Sequence, residues 1–293
     1  MDNTIEKALV KGLIPKRIKD SNKGTYGRVM IVTGSGGMIG SGCLCASSAM
    51  LSGAGLVYVA VPEELSQIYN IKLTEPIIIK LPSISQSLSF RGLDTLMSEV
   101  RNKDVVVIGP GLGRNFTTGR LVEEFVQKCE KPMVIDADGL NLLKGSMALK
   151  NAKAPVIITP HPGEMAALCG ITVEEVQNNR IQVAIRFSKE YNVNVVLKGS
   201  GTIVSTPDGR CFINPTGNPG MATAGTGDVL AGLIGGLLGQ GLEPADACIA
   251  GVYIHGAAGD LAALKKGQHG VIAGDVAEAI PYSIKYLVED DFH

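Results

Sequence analysis

Short unbroken apolar runs alternate along this chain with longer segments whose apolar residues recur every three or four positions. The β-branched runs predict strands at 28–33, 56–61, 105–108, 133–135, 156–159 and 195–198. Two more, 201–205 and 210–213, are set to pair as a hairpin across Pro207-Asp208-Gly209. The longer period predicts helices near 41–54, 90–101, 117–129, 139–144, 163–169, 174–190, 227–240 and 244–265. Strands that are apolar on both faces and separated by helices imply a mostly parallel sheet covered on both sides. The chain carries no internal repeat and no linker-like tract, and 83–89 reads as a surface loop. One α/β domain is expected.

Composition narrows the function classes. Lys and Arg number 27 against 28 Asp and Glu, a balance that argues against a binder driven by nucleic-acid phosphates. The hydrophobic share of 45% is too high for a disordered chain. The first residues carry Asp2 and Glu6 and no apolar core segment, so a secretory signal is not expected. The longest apolar stretch, 229–242, falls short of a membrane span. Six cysteines show no CxxC pair, which predicts free thiols in a reducing cytoplasm rather than zinc or disulfides.

Glycine is the outlier, with 37 residues, nearly twice the usual share. Two clusters follow predicted strands: Gly34-Ser35-Gly36-Gly37 with Gly40, Ser41 and Gly42, and Gly109-Pro110-Gly111-Leu112-Gly113. Strand ends are where open α/β sheets bind ligands, and glycine lets backbone N–H groups approach an anion. Neither cluster is a Walker A loop, since no Gly-Lys-Ser/Thr follows, and each also reads as a plain tight turn.

A third cluster, Gly225-Thr226-Gly227-Asp228, opens a helix. Free N–H groups and the positive end of the helix dipole converge there, which makes a phosphate site. Asp228 reads either as a helix cap or as a base that takes a proton from a hydroxyl undergoing phosphorylation. Behind it, Gly232, Gly235, Gly236 and Gly239 fall on one helix, where small residues let a neighbour pack closely.

Other polar groups sit at strand ends. His161, between two prolines, is either exposed or a ligand contact; Glu164 either complements a helix dipole or reaches a phosphate-bound Mg²⁺. Lys198, Gly199, Ser200, Gly201 and Thr202 suit nucleotide phosphate or ribose, or an ordinary hairpin entry. Asp136, Asp138 and Asn141 follow another strand, where Asp138 reads as a cap of the next helix or the carboxylates as catalytic groups. His255, Asp260 and Asp275 read as helix-surface or capping residues, and His269 as part of a loop flanking the site.

Taken in order, VVVIGPGLGRN, MVIDADGLNLL, VIITPHPGEMAALCG, VVLKGSGTIVS and NPTGNPGMATAGTGDVLAGLIGGLLGQG resemble the ADP/ATP-dependent NAD(P)H-hydrate dehydratases of the ribokinase-like superfamily, over about 24–287. The resemblance implies a three-layer α/β/α fold with a mostly parallel central sheet and a β-hairpin. Many members carry an N-terminal epimerase domain, for which this chain is too short. A stand-alone dehydratase domain is therefore expected over 1–293, with 1–23 as an extension.

The resemblance also implies repair of hydrated NADH or NADPH. Phosphorylating the hydroxyl makes a leaving group, and the ring nitrogen then expels phosphate, with AMP as the other product. By this likeness Asp228 is the base, and Gly225, Thr226 and Gly227 form the anion hole. Ser41, Gly111, Gly113, His161 and Asp228 contact the hydrate. Lys198, Gly199, Ser200, Gly201, Thr202 and Gly227 contact the nucleotide, and Glu164 acts on Mg²⁺ through water. The superfamily's Asn-x-x-Glu is His161-Pro-Gly-Glu164 here, which moves His161 toward substrate, and Ser41 stands where the family usually has Ala. ADP or ATP is the implied co-substrate, no nucleic acid or membrane partner is implied, and relatives form homo-oligomers, often tetramers. Competing readings are a small-alcohol kinase like hydroxyethylthiazole kinase and a non-catalytic nucleotide sensor.

Overall fold

In the computed structural model, residues 3–289 are described. The strands are β1 (Arg28–Val32), β2 (Leu56–Pro62), β3 (Ile77–Leu81), β4 (Ser83–Ile84), β5 (Ser87–Leu88), β6 (Val105–Ile108), β7 (Met133–Ile135), β8 (Val156–Ile158), β9 (Asn194–Leu197), β10 (Ile203–Ser205) and β11 (Cys211–Ile213). The helices are α1 (Lys7–Leu13), α2 (Ile39–Leu51), α3 (Ser66–Lys72), α4 (Leu93–Glu99), α5 (Phe116–Lys128), α6 (Asp138–Leu142), α7 (Pro162–Cys169), α8 (Val173–Asn178), α9 (Arg180–Tyr191), α10 (Thr226–Gly239), α11 (Pro244–Lys266) and α12 (Ala273–Val288).

Nine strands form one sheet in the order β11-β10-β9-β8-β7-β6-β1-β2-β3. All neighbours are parallel except at β9–β10–β11, where the predicted hairpin pairs antiparallel. Strand residues alternate between two cores. Val29 and Ile31 join the core built with α2, α10, α11 and α12, whereas Met30 and Val32 join the one built with α4, α5 and α9. Both faces are thus dry, which explains why the strands read as unbroken apolar runs. From β1 the chain runs outward to β3, then returns to place β6 on the other side of β1. This reversal opens a crevice at the carboxyl ends of β1 and β6, where both glycine loops lie.

α10 lies close against α2 because its facing positions have no side chain. A Cβ on Gly232 would stand 2.1 Å from both Cys45 O and Ser48 Oγ, and one on Gly236 would stand 1.9 Å from Ser52 Oγ. Each glycine costs about 1 kcal/mol in helix propensity. The burial of Val229, Leu230, Leu233 and Ile234 on the same helix, each worth roughly 1.5–3 kcal/mol, outweighs that cost.

Some elements escape the pattern. β3 is an edge strand with only Leu81 buried, and α12 carries Pro281 inside the helix, which interrupts the helical signal. The loop expected at 83–89 holds the small β4–β5 pair. The single helix expected at 174–190 is two, α8 and α9, parted at Asn179. Helix α11 is long and apolar enough to cross a membrane by length and composition, unlike the shorter 229–242 stretch singled out above. However, 61% of its apolar window is buried inside the fold, and it serves as a core helix. The N-terminal segment also packs onto the core: Ile5 N–H donates to Ile213 O at 2.9 Å beside β11, and Val10 is fully buried.

Candidate active site

The carboxyl ends of β1, β6, β7, β8 and β9 face the N-terminus of α10, and the expected site residues converge there. Gly225 caps α10 at φ +93, a left-handed turn that glycine adopts without strain. Asp228 follows in the first turn. Burial is the main cause raising its pKa, to about 6, with Asp136 adding to it; Ser41, through a side-chain hydrogen bond, and Lys198 pull the other way. Ser41 also lies against Gly111, whose added Cβ would be 3.1 Å from the serine Cβ. The two glycine loops are tied together: Ser35 Oγ donates to Gly111 O at 2.9 Å, and the Thr33 hydroxyl donates to Pro110 O. Gly113 and Arg114 are held by Asp138, whose carboxylate accepts from Gly113 N at 2.9 Å and Arg114 Nε at 3.0 Å. Asp138, expected to cap α6, instead positions the second glycine loop.

A charged chain runs beside Gly227. Lys198 Nζ donates to Asp136 Oδ1 at 2.7 Å and lies 3.9 Å from Glu164 Oε2. Burial alone would lower the lysine pKa, but Asp136 and Glu164 outweigh it and hold it above its ordinary value. Burial raises Glu164, partly opposed by Lys198. His161 caps α7: its Nδ1 accepts from Gly163 N and Glu164 N, while Glu164 Oε2 accepts from His161 N at 2.8 Å. Two N–H donors on Nδ1 place the ring proton on Nε2, which is 3.4 Å from Glu164 Oε1. An added Cβ on Gly227 would be 3.2 Å from Lys198 Nζ, so helix N-terminus and lysine are in direct contact.

A cavity of about 460 Å³ opens beside this chain. Lys198, Gly199, Ser200, Gly201, Thr202 and Gly227 all line it. The structure therefore gathers every residue expected at a nucleotide into one cavity. Ser41 bonds Asp228 and lies against Gly111, while Gly113 lies farther along the same loop, against Ser35 and Asp138, on the side of the β1/β6 crevice. The single hydroxyl proton of Thr226 is taken up by the carbonyls of Met221 and Thr223, at 3.1 and 3.0 Å, which leaves its backbone N–H as the donor it can offer an anion.

No group of three or more metal-ligating side chains occurs among the described residues. Asp136, Glu164 and Asp228 nevertheless surround the single ammonium of Lys198, a local excess of negative charge. That donor set fits Mg²⁺ carried by nucleotide phosphates and its own waters, not a protein cage.

Several working residues were not legible as such. His255, expected on a helix surface, lines the cavity and donates from Nε2 to Thr226 O at 2.9 Å. Burial lowers its pKa to about 4, so it stays neutral. Asp260 lies exposed on α11, as expected, and also accepts from Gly217 N and Asn218 Nδ2, two residues that line the cavity. Asp275 does cap α12, accepting from Ile272 N at 3.0 Å. His269 sits in an exposed turn packed on 219–221. Arg180 gave no sequence signal, since its partners are backbone carbonyls distant along the chain.

The fold and this site define a class: a ribokinase-like α/β fold with a half-buried carboxylate at a helix N-terminus, beside an open cavity. The backbone superposes on ribokinase from Thermotoga maritima with TM-score 0.52 at 16% identity, over 87% of this chain and 99% of that one, a likeness of fold alone. The profile of the NAD(P)H-hydrate dehydratase family matches residues 29–282, and the chain belongs to that family. It is 32% identical to the ADP-dependent (S)-NAD(P)H-hydrate dehydratase of Bacillus subtilis, over 93% of this chain and 94% of that one. A crystal structure of the B. subtilis ADP/ATP-dependent enzyme, co-crystallised with ATP and Mg²⁺, superposes with TM-score 0.85 at 29% identity, covering 98% and 99% of the two chains. The bifunctional NAD(P)H-hydrate repair enzyme of Moorella thermoacetica is 44% identical over 97% of this chain. The chain spans about half the length (54%) of that relative.

Proposed function

We propose that this chain is an ADP-dependent (S)-NAD(P)H-hydrate dehydratase, a hydro-lyase that returns hydrated NADH or NADPH to the working cofactor. The observation that carries the reading is Asp228: a half-buried carboxylate in the first turn of α10, between the nucleotide cavity and the paired glycine loops. Hydroxide is a poor leaving group, so direct loss of water from the hydrate is slow. With the hydrate held by Ser41, Gly111, Gly113 and His161, Asp228 accepts the hydroxyl proton as the oxygen attacks the β-phosphorus of ADP. The N–H groups of Gly225, Thr226 and Gly227 stabilise charge on the migrating phosphoryl group. AMP leaves, the ring nitrogen's lone pair expels phosphate from the phosphorylated carbon to leave an iminium, and the neighbouring ring carbon then gives up a proton to the released phosphate, so that its C–H electron pair restores the double bond.

Lys198 neutralises the nucleotide phosphates, and Gly199, Ser200, Gly201 and Thr202 contact them or the ribose. Mg²⁺, held by the phosphates and through water by Glu164 and Asp136, would supply further charge neutralisation. We place the chain in the cytoplasm and, on the family resemblance, in a homotetramer, which light scattering on the purified protein tests.

The test is recovery of near-ultraviolet NADH absorbance when the protein is incubated with hydrated NADH, ADP and Mg²⁺. One AMP per NADH is expected. No recovery with ADP or ATP, or a stable phosphorylated product, would sink the dehydratase reading.

A further inference from the structure

We propose that Arg180 is the positioning residue that sets the phosphate-binding shape of the 198–202 loop; this rests on the nucleotide-dependent reading above. Arg180 opens α9, behind the loop. Its NH1 donates to Ser200 O at 2.6 Å, and its NH2 donates to Leu197 O at 3.3 Å and Lys198 O at 3.4 Å. The intervening carbonyl, Gly199 O, accepts from Thr202 Oγ1 at 2.9 Å. The carbonyls of four consecutive residues are thereby engaged by two side chains.

The peptides are trans, so each N–H points opposite to the carbonyl that precedes it. The N–H groups of Gly199 and Gly201 are therefore turned away from the guanidinium. Neither donates to a protein acceptor among the described residues, and both glycines line the cavity. Gly199 at φ +139 and Gly201 at φ +62 take the conformations this arrangement needs. With carbonyls withdrawn and N–H groups presented, the loop offers an anion only donors.

Arg180 Nε is buried without a partner, an unmade hydrogen bond that costs stability. A side chain serving only to pack α9 would not commit both terminal nitrogens to one loop at that cost. The planar fork matters: three carbonyls are reached by two nitrogens of fixed spacing, which a lysine ammonium cannot reproduce.

The test compares wild type with Arg180→Lys and Arg180→Ala, using calorimetric ADP binding and steady-state NADH recovery. The Kd and KM for ADP should rise at least about tenfold in both variants, the loss expected for hydrogen bonds to a charged group. The kcat and the KM for the hydrate should stay near wild type. Millimolar guanidinium should restore ADP binding to Arg180→Ala. Lower thermal stability with unchanged ADP affinity would overturn the proposal, as would equal loss of affinity for both ligands without rescue. If Arg180→Ala does not fold, Arg180→Lys carries the test, and wild-type ADP affinity in that variant overturns it. A wild type that binds ADP but recovers no NADH defeats the dehydratase reading and leaves the Arg180 result to the binding data. A wild type that binds neither ADP nor ATP defeats both.

Discussion

Replacing Asp228 by Asn should abolish activity and at the same time stabilise the protein, in a way that depends on pH. The Asp228 pKa is raised from 3.8 to about 6 in the folded chain, chiefly by burial and then by Asp136. A raised folded-state pKa means that the folded protein holds this proton more tightly than the unfolded chain does. Its contribution to stability is therefore complete below about pH 4 and is lost as pH rises through about 6. A shift of roughly two units corresponds to about 3 kcal/mol. Asn keeps the volume but has nothing to titrate, so the variant escapes this loss. The stability gain of Asp228→Asn should be small near pH 4 and reach about 3 kcal/mol by about pH 8, a rise in Tm on the order of 6 °C. Urea unfolding of both proteins across that range, followed by circular dichroism, measures the difference. A gain that does not change with pH, or a variant less stable than wild type at about pH 8, would refute the reasoning.

Three further outcomes follow from the same geometry. The kcat/KM for hydrated NADH should fall about tenfold per pH unit below about pH 6, as the Asp228 base is protonated, which a pH–rate profile checks. Asp138→Ala should release Gly113 and Arg114, raising the KM for the hydrate about tenfold while the KM for ADP holds, as steady-state kinetics with each ligand varied would show. Gly232→Ala would place a methyl 2.1 Å from Cys45 O, so α10 must move off α2; denaturant unfolding should show a loss of about 1–3 kcal/mol.

The alternation of Val29 and Ile31 with Met30 and Val32 across two dry faces is what made the central strands legible as apolar runs. Edge strand β3 and the proline-bearing α12 were not, because one is half-exposed and the other breaks the helical pattern it belongs to. The site divides along a similar line. Asp228, Lys198 and the glycine loops could be found because local motifs place them at strand ends and a helix start. The backbone roles of Arg180, His255 and Asp260 could not, since each acts on backbone far away in sequence: Arg180 on Leu197, Lys198 and Ser200, His255 on Thr226 and Asp260 on Gly217. The double role of His161, helix cap and neighbour of Glu164, likewise emerges only once α7 is folded.

Phosphorylation of the hydroxyl before it leaves can be followed with an oxygen label. NADH hydrate carrying ¹⁸O in that hydroxyl would be turned over with ADP and Mg²⁺, and the phosphate and water analysed by mass spectrometry. One ¹⁸O is expected in each phosphate released. Label appearing in water instead, with unlabelled phosphate, would contradict it.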